Sequence, residues 1–295
     1  MQWLTAGLAC AETWYLEQSG RWEQLKPECK EVFFKANRFF DEGKLTKAAK
    51  NYEKFLAEAE PGSDLYTEAL RRNFSIAKKF LGGHKKRVLG IFEIKGYAEG
   101  IKMMERISER AQESRLVIDA AAEVAMHYEK RGQLDSANYE LAYLKWRHLL
   151  ETHDHKEQLS TPYPTGELGK DALLAMARCK RLGYKGPQYD ISDLVGRPFS
   201  ESAYESAKGC YEEFRRRYPQ DAEKFGIEAK LEQIEQQAAS KDFCTGQYYQ
   251  QAENRRPANL YYQMVIRNWP GTKAAETAGE ILTRNLSAEV ETSDE

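Results

Sequence analysis

A chain of 295 residues is long enough for one large domain, two modest ones or an array of repeats. Lys and Arg total 44 against 46 Asp and Glu, a formal charge of -2, so no global basic excess supports nucleic acid as a partner. Charged residues at 31% and a mean hydropathy of -0.73 imply much solvated surface per buried residue, while 12% aromatics, with 17 Tyr among them, argue against disorder.

The opening MQWLTAGLAC is a short apolar lead ending in small residues and Cys10, as a bacterial lipoprotein signal ends at the cysteine that is acylated. No Lys or Arg precedes the apolar part, and Leu8 stands two places before the Cys rather than three. Two readings stay open for Cys10, acylation and an ordinary thiol. The other cysteines, Cys29, Cys179, Cys210 and Cys244, are scattered without a C-x-x-C spacing, which indicates neither a zinc site nor a disulfide framework. No later apolar run is long enough to span a bilayer.

A repeated cadence organises the rest. In EGKLTKAAKNYEKFLAEAEP, Ala48, Tyr52 and Phe55 follow at offsets of four and three, which places them on one helical face, and Pro61 closes the segment. Ala207, Tyr211, Phe214 and Pro219 repeat it, as do Ala258, Tyr262, Val265 and Pro270. Weaker copies read Gly100, Met104, Ile107 and Ala137, Leu141, Leu144. Upstream lies a partner helix with a small residue and an aromatic: Ala36 with Phe39, Ala125 with Tyr128, Gly246 with Tyr249. The small residue admits a neighbouring helix and the aromatic fills the gap beside it.

This is the tetratricopeptide pattern, in which a two-helix unit of about 34 residues buries its apolar stripe only by stacking on neighbours. The predicted fold is all-α, a tetratricopeptide-type superhelix of about five helix pairs with inter-repeat insertions. Insertions are expected at 81–96, 151–167 and 183–200, the last two rich in Pro, Gly and Asp. The segment 221–252 lacks Pro and keeps helical periodicity, so one long helix is expected there. No sustained period-two alternation predicts strands. The domains read as a signal remnant and tether at 1–27, repeats one to three at 28–150, repeats four and five at 151–286, and an acidic, frayed tail at 287–295.

No convergent reactive set is visible, so the chain is expected to be non-catalytic and without a cofactor. His153, Asp154 and His155 alternate in a polar loop, a spacing that fixes no coordination geometry. His84, His127 and His148 are dispersed, and no phosphate-cradling Gly motif occurs. LGGH at 81–84 reads as a helix end with a left-handed Gly. Peptide binding is what stacked helices offer. Phe33, Asn37 and Phe40 flank the first packing pair and face a groove on this reading, with Asn37 bonding a peptide backbone; in the plainer reading both Phe pack on the next helix. Arg71, Arg72 and the run Lys85, Lys86, Arg87 either meet a carboxylate or anionic lipid, or form a solvated face.

The RRRYP and IRNWPGT repeat ends, the segment 242–282 and the start C-AETWYLEQSG together resemble the BamD (YfiO) family of outer-membrane protein assembly lipoproteins. Phe243, Tyr248, Tyr249, Ala258, Trp269, Pro270 and Thr272 stand at that family's C-terminal pattern, with Trp269 where Tyr is more usual and with longer insertions. The resemblance covers 28–286. It implies a TPR-repeat lipoprotein on the periplasmic face of the bacterial outer membrane, anchored by lipid on Cys10 and non-catalytic. It would serve protein insertion into the membrane through protein–protein interaction. Its implied partners are protein subunits of a β-barrel assembly complex and unfolded outer-membrane client proteins. The N-terminal repeats, at Phe33, Asn37, Phe40, Arg71 and Arg72, would take client segments. The C-terminal repeats, at Tyr248, Arg255, Arg256 and Tyr261, would dock the barrel-bearing subunit. Two other expectations remain: a periplasmic scaffold of the Tol-Pal or cell-division kind, and a cytoplasmic tetratricopeptide scaffold.

Overall fold

The computed structural model describes residues 27–88, 92–111, 115–153, 165–183 and 201–293. Cys10 and His155 lie outside them. The described residues are overwhelmingly helical, and successive helices pack as neighbours. Contacts divide the chain into two compact units that meet in sequence between Val124 and Ala125.

The first unit holds α1 (Pro27–Asp41), α2 (Leu45–Glu58), α3 (Asp64–Leu81), a hairpin of β1 (Lys85–Val88) and β2 (Phe92–Lys95), α4 (Tyr97–Arg110) and the start of α5 (Arg115–Gly132). α1 packs on α2, α2 on α3, and α3 on α4. Local chemistry sets the ends of α3. Ser63 Oγ accepts from the Tyr66 N–H at 3.2 Å and Asp64 sits in the first turn, while Lys78 and Lys79 sit in the last. The LGGH stop behaves as expected, with Gly83 at φ +94° carrying the left-handed turn.

The second unit holds the rest of α5, α6 (Ala137–Thr152), α7 (Leu168–Gly183), α8 (Glu201–Arg217), the short α9 (Pro219–Ala222), α10 (Ile227–Gln251), α11 (Arg255–Asn268) and α12 (Lys273–Ser293). α6 packs on α7, α7 on α8, α10 on α11, and α11 on α12. α10 is the expected long helix, 25 residues. Thr272 caps α12, its Oγ1 accepting from the Ala275 N–H at 3.2 Å.

The repeated cadence is the packing face in four of its copies. Ala48, Tyr52 and Phe55 are buried, as are Met104 and Ile107, Ala207, Tyr211 and Phe214, and Ala258, Tyr262 and Val265. In the first and last pairs, however, the aromatic that fills the gap lies three residues before the small one. Phe33 is 1% exposed and meets Phe55 at 4.9 Å and Tyr52 at 6.1 Å; Phe243 meets Tyr262 at 5.4 Å with the same chain spacing. Phe39 and Tyr249, expected in that role, are only partly buried.

Three further expectations are corrected. On α6 the face Ala137, Leu141, Leu144 points outward, with Leu141 44% and Leu144 40% exposed. The buried face is Tyr139, Ala142, Trp146 and Leu149, where Ala142, Trp146 and Leu149 keep the same offsets of four and three. The insertion at 81–96 is an antiparallel hairpin pairing Lys85 with Lys95 and Arg87 with Glu93, although no strand was expected. Its strands are four residues each, too short for alternation to register. The C-terminal tail, expected to fray, continues α12 to Ser293.

Glycine marks a close helix approach between α10 and α11. A Cβ on Gly246 would stand 2.7 Å from the ring of Tyr262, closer than any carbon contact allows, whereas one on Gly209 in α8 meets nothing within 4 Å. Gly246→Ala should therefore cost about 1–3 kcal/mol by overpacking. Gly209→Ala should add up to about 1 kcal/mol through helix propensity. Urea denaturation of both variants checks the pair of opposite signs.

Candidate functional site

In the first unit a polar and aromatic cluster forms where α1, α2 and α3 meet. The Tyr52 hydroxyl donates to Asn37 Oδ1 at 2.6 Å, and burial pushes its pKa far above the ordinary phenol value, so it stays a donor. Arg72 stands beside it and bonds Glu68 Oε1 through Nε at 2.8 Å. The Phe40 ring carries the Arg72 guanidinium at 5.6 Å and the Lys79 ammonium at 5.2 Å. Next to it, Glu53 of α2 accepts from Asn73 of α3 at 3.1 Å and from Arg110 of α4 at 2.8 Å. Asn73 is fully buried in this network.

Of the residues assigned to a peptide groove, the structure brings Asn37, Phe40 and Arg72 together. Phe33 is corrected: it is sealed between α1 and α2 and has no surface to offer a peptide. Arg71 is exposed and stands outside the contacts of the cluster. Asn37 already accepts the Tyr52 hydroxyl, so its carbonyl is shared between core and surface. Lys86, from the basic run, reaches Glu99 Oε2 at 3.0 Å.

In the second unit α10 and α11 present a row of tyrosines. Tyr249 and Tyr261 stack at 5.6 Å with planes 15° apart, and Tyr248 meets Tyr249 edge-on at 5.6 Å while remaining 66% exposed. Beneath the row, Tyr262 donates to Gln250 Oε1 at 2.6 Å. Arg255 and Arg256 are exposed in the first turn of α11, which contains no acid. Cations at that end oppose the helix dipole, so folding gains nothing from them there. The connection holds Glu253 at φ +57°, the place where Gly43 at φ +69° joins α1 to α2. A side chain in the left-handed region costs about 1–2 kcal/mol relative to glycine's freedom.

One buried carboxylate lies apart from both clusters, and sequence reading missed it. Asp171, in the first turn of α7, is 5% exposed. One oxygen accepts from the Thr165 N–H at 3.1 Å, and the other, Oδ2, is buried without a hydrogen-bond partner. Burial raises its pKa, against the lowering effect of its bonds to Thr165, Gly166 and Glu167. Nothing in DALLAMARC marked it, because an Asp in a first helical turn is ordinarily exposed.

Among the described residues no group of three or more His, Cys, Asp and Glu is arranged to hold a metal ion, and no helix is long and apolar enough to cross a membrane. No family model matches the chain, and no curated protein matches it.

Two predictions follow from these environments. Phe33→Ala should cost about 3–5 kcal/mol of stability, as core aromatics do. Phe40→Ala should cost about 1–2 kcal/mol, the loss of two cation–π contacts; denaturation midpoints distinguish the two. For Asp171, a raised folded pKa means that the native state holds its proton more tightly than the unfolded chain. Stability then falls as pH rises through the window between the unfolded and folded values, and the cost is greatest above it. Asp171→Asn should therefore raise the Tm at neutral pH, and the gain should shrink as pH falls into the ordinary carboxylate range.

Proposed function

We propose that the chain is a non-catalytic docking lipoprotein of outer-membrane β-barrel assembly. On this reading it is held at the periplasmic face by lipid on Cys10 and joins client segments to the barrel-bearing subunit. The observation that carries the reading is the surface of α10 and α11. There Tyr248 is two-thirds exposed, and Arg255 and Arg256 oppose their own helix dipole, so none of the three serves the fold. These residues lie within 242–282, the segment whose pattern of Phe243, Tyr248, Tyr249, Ala258, Trp269, Pro270 and Thr272 resembles the BamD family. Exposed Tyr and Arg are the residue types that dominate binding energy at protein interfaces. Paired helices supply a rigid platform for such a surface.

Client segments are assigned to the cluster around Asn37, Phe40 and Arg72, where a partly exposed ring flanked by two cations suits a peptide with aromatic and carboxylate groups. Phe33 is withdrawn from that assignment because its burial leaves it structural.

The test uses the full-length gene product expressed with its own leader and extracted from native membranes. Mass spectrometry should find acyl chains on Cys10. Tyr248→Ala combined with Arg255→Glu and Arg256→Glu should abolish copurification with a β-barrel membrane protein while leaving the Tm within a few degrees. Truncation before residue 242 is a poor substitute, since it cuts α10 in two and strips the core of the last helix pair from Ala239. An unacylated Cys10, or undiminished copurification of the triple variant, overturns the reading.

A further inference from the structure

The stripe Ala137, Leu141 and Leu144 carries the spacing of a packing face and yet points away from the fold. By helical periodicity it lies opposite the buried face of α6, where Tyr139 and Ala142 pack with Cys179 and Leu182 of α7. Leu141 is 44% and Leu144 40% exposed, and Leu134, three residues before Ala137, is 80% exposed. His148, four residues after Leu144, is exposed as well. A helix with apolar stripes on two opposite sides is suited to being covered on both.

The positions 134, 137, 141, 144 and 148 step by three and four in turn, as the seam of a coiled coil does. One flank of the seam carries both signs of charge, Glu140 and Arg147, with side chains 56% and 48% exposed. Lys180 of α7 holds Glu140, and Glu151 stands 3.6 Å from Arg147. Exposed pairs of this kind are worth little and are readily shared with a new partner. A partner of one sign would meet a like charge at Glu140 or at Arg147, whereas a second copy of α6 answers both. Laid antiparallel, with the two-fold axis between Leu141 and Leu144, it sets each Leu141 against the other copy's Leu144 and each Ala137 against His148. The same rotation brings each Glu140 beside the other copy's Arg147 and leaves Asn138 facing Lys145 along the other flank. Opposed helix dipoles favour this direction over a parallel one.

We propose that the outer face of α6 is a self-association surface, through which two copies of the chain pair antiparallel along the seam of Leu141 and Leu144. The fold needs only the opposite face of α6, and the pairing accounts for the apolar surface that remains. A seam of about two heptads buries less than the roughly 1,200–2,000 Å² of a standard interface, so the dimer is reversible and forms in the micromolar range. The proposal does not depend on the membrane-assembly reading, since it uses none of the residues of the tyrosine row or of the first unit.

The test is sedimentation equilibrium of the full chain, produced without acylation and kept reduced, so that neither lipid nor a disulfide can join two copies. As loading rises from about 1 to about 100 µM, the average mass should climb reversibly from monomer toward dimer. Leu144→Glu, at a half-exposed position, should leave the Tm within a few degrees and weaken dimerisation at least about tenfold. Arg147→Glu sets acid against acid and should weaken it too. Adding Glu140→Arg to that variant should restore the dimer, a rescue that damage to the fold would not give. Monomer at every loading overturns the proposal, as does a dimer indifferent to Leu144→Glu. A dimer that Arg147→Glu weakens and Glu140→Arg fails to restore overturns the antiparallel arrangement.

Discussion

The contact on which the helix pairs depend is the seating of an aromatic ring against a small residue of the partner helix. Between α10 and α11 it is literal, because Gly246 leaves no room even for a methyl group beside Tyr262. Between α1 and α2 the same chain spacing sets Ala36 opposite the Phe33, Tyr52 and Phe55 cluster. Close approach of this kind is intolerant of added volume, since interiors are packed at crystal density. It fixes which face of each helix is spent on the fold.

What that packing leaves over is where function is to be sought. The buried hydroxyls of Tyr52 and Tyr262 each need an acceptor, and each takes a side-chain amide on the partner helix, Asn37 or Gln250. Satisfying the core thus brings polar groups to the edge of the helix pair. In the first unit this edge gathers Phe40, Arg72 and Lys79 around one ring. In the second, Tyr248, Tyr249 and Tyr261 line up above the packed layer, with two arginines at the mouth of α11. Glu253 in a left-handed turn at that same corner is a local rule broken without visible gain to stability.

The helix pairs were legible because offsets of four and three between a small residue, a ring and an aliphatic survive insertions of any length. They misled on α6, where Ala137, Leu141 and Leu144 imitate the cadence on the wrong face. The true face, through Ala142, Trp146 and Leu149, differs from it only by a five-residue shift that no local signal distinguishes. The hairpin escaped because strands of four residues carry too little alternation to outweigh a charged, Gly-containing insertion. Of the groove residues, Asn37 and Phe40 were named from their place beside a packing pair and Arg72 from its basic pair with Arg71, and the structure sets the three side by side. Phe33 was misassigned because one-dimensional spacing cannot tell a ring that faces a neighbour from one that faces a groove.

The sequence by itself determined the fold class, the long helix α10, the left-handed stop after α3 and the cap at Thr272. All of these are set by residues within one or two turns of each other, where periodicity and backbone preference act. Only the tertiary structure decided which rings are core and which are surface, and that Asp171 is a desolvated carboxylate. Those outcomes depend on which helices come to lie side by side. Burial is a property of that arrangement, and residues far apart in the chain, such as Glu129, Trp146 and Arg178, acquire a common environment only through it.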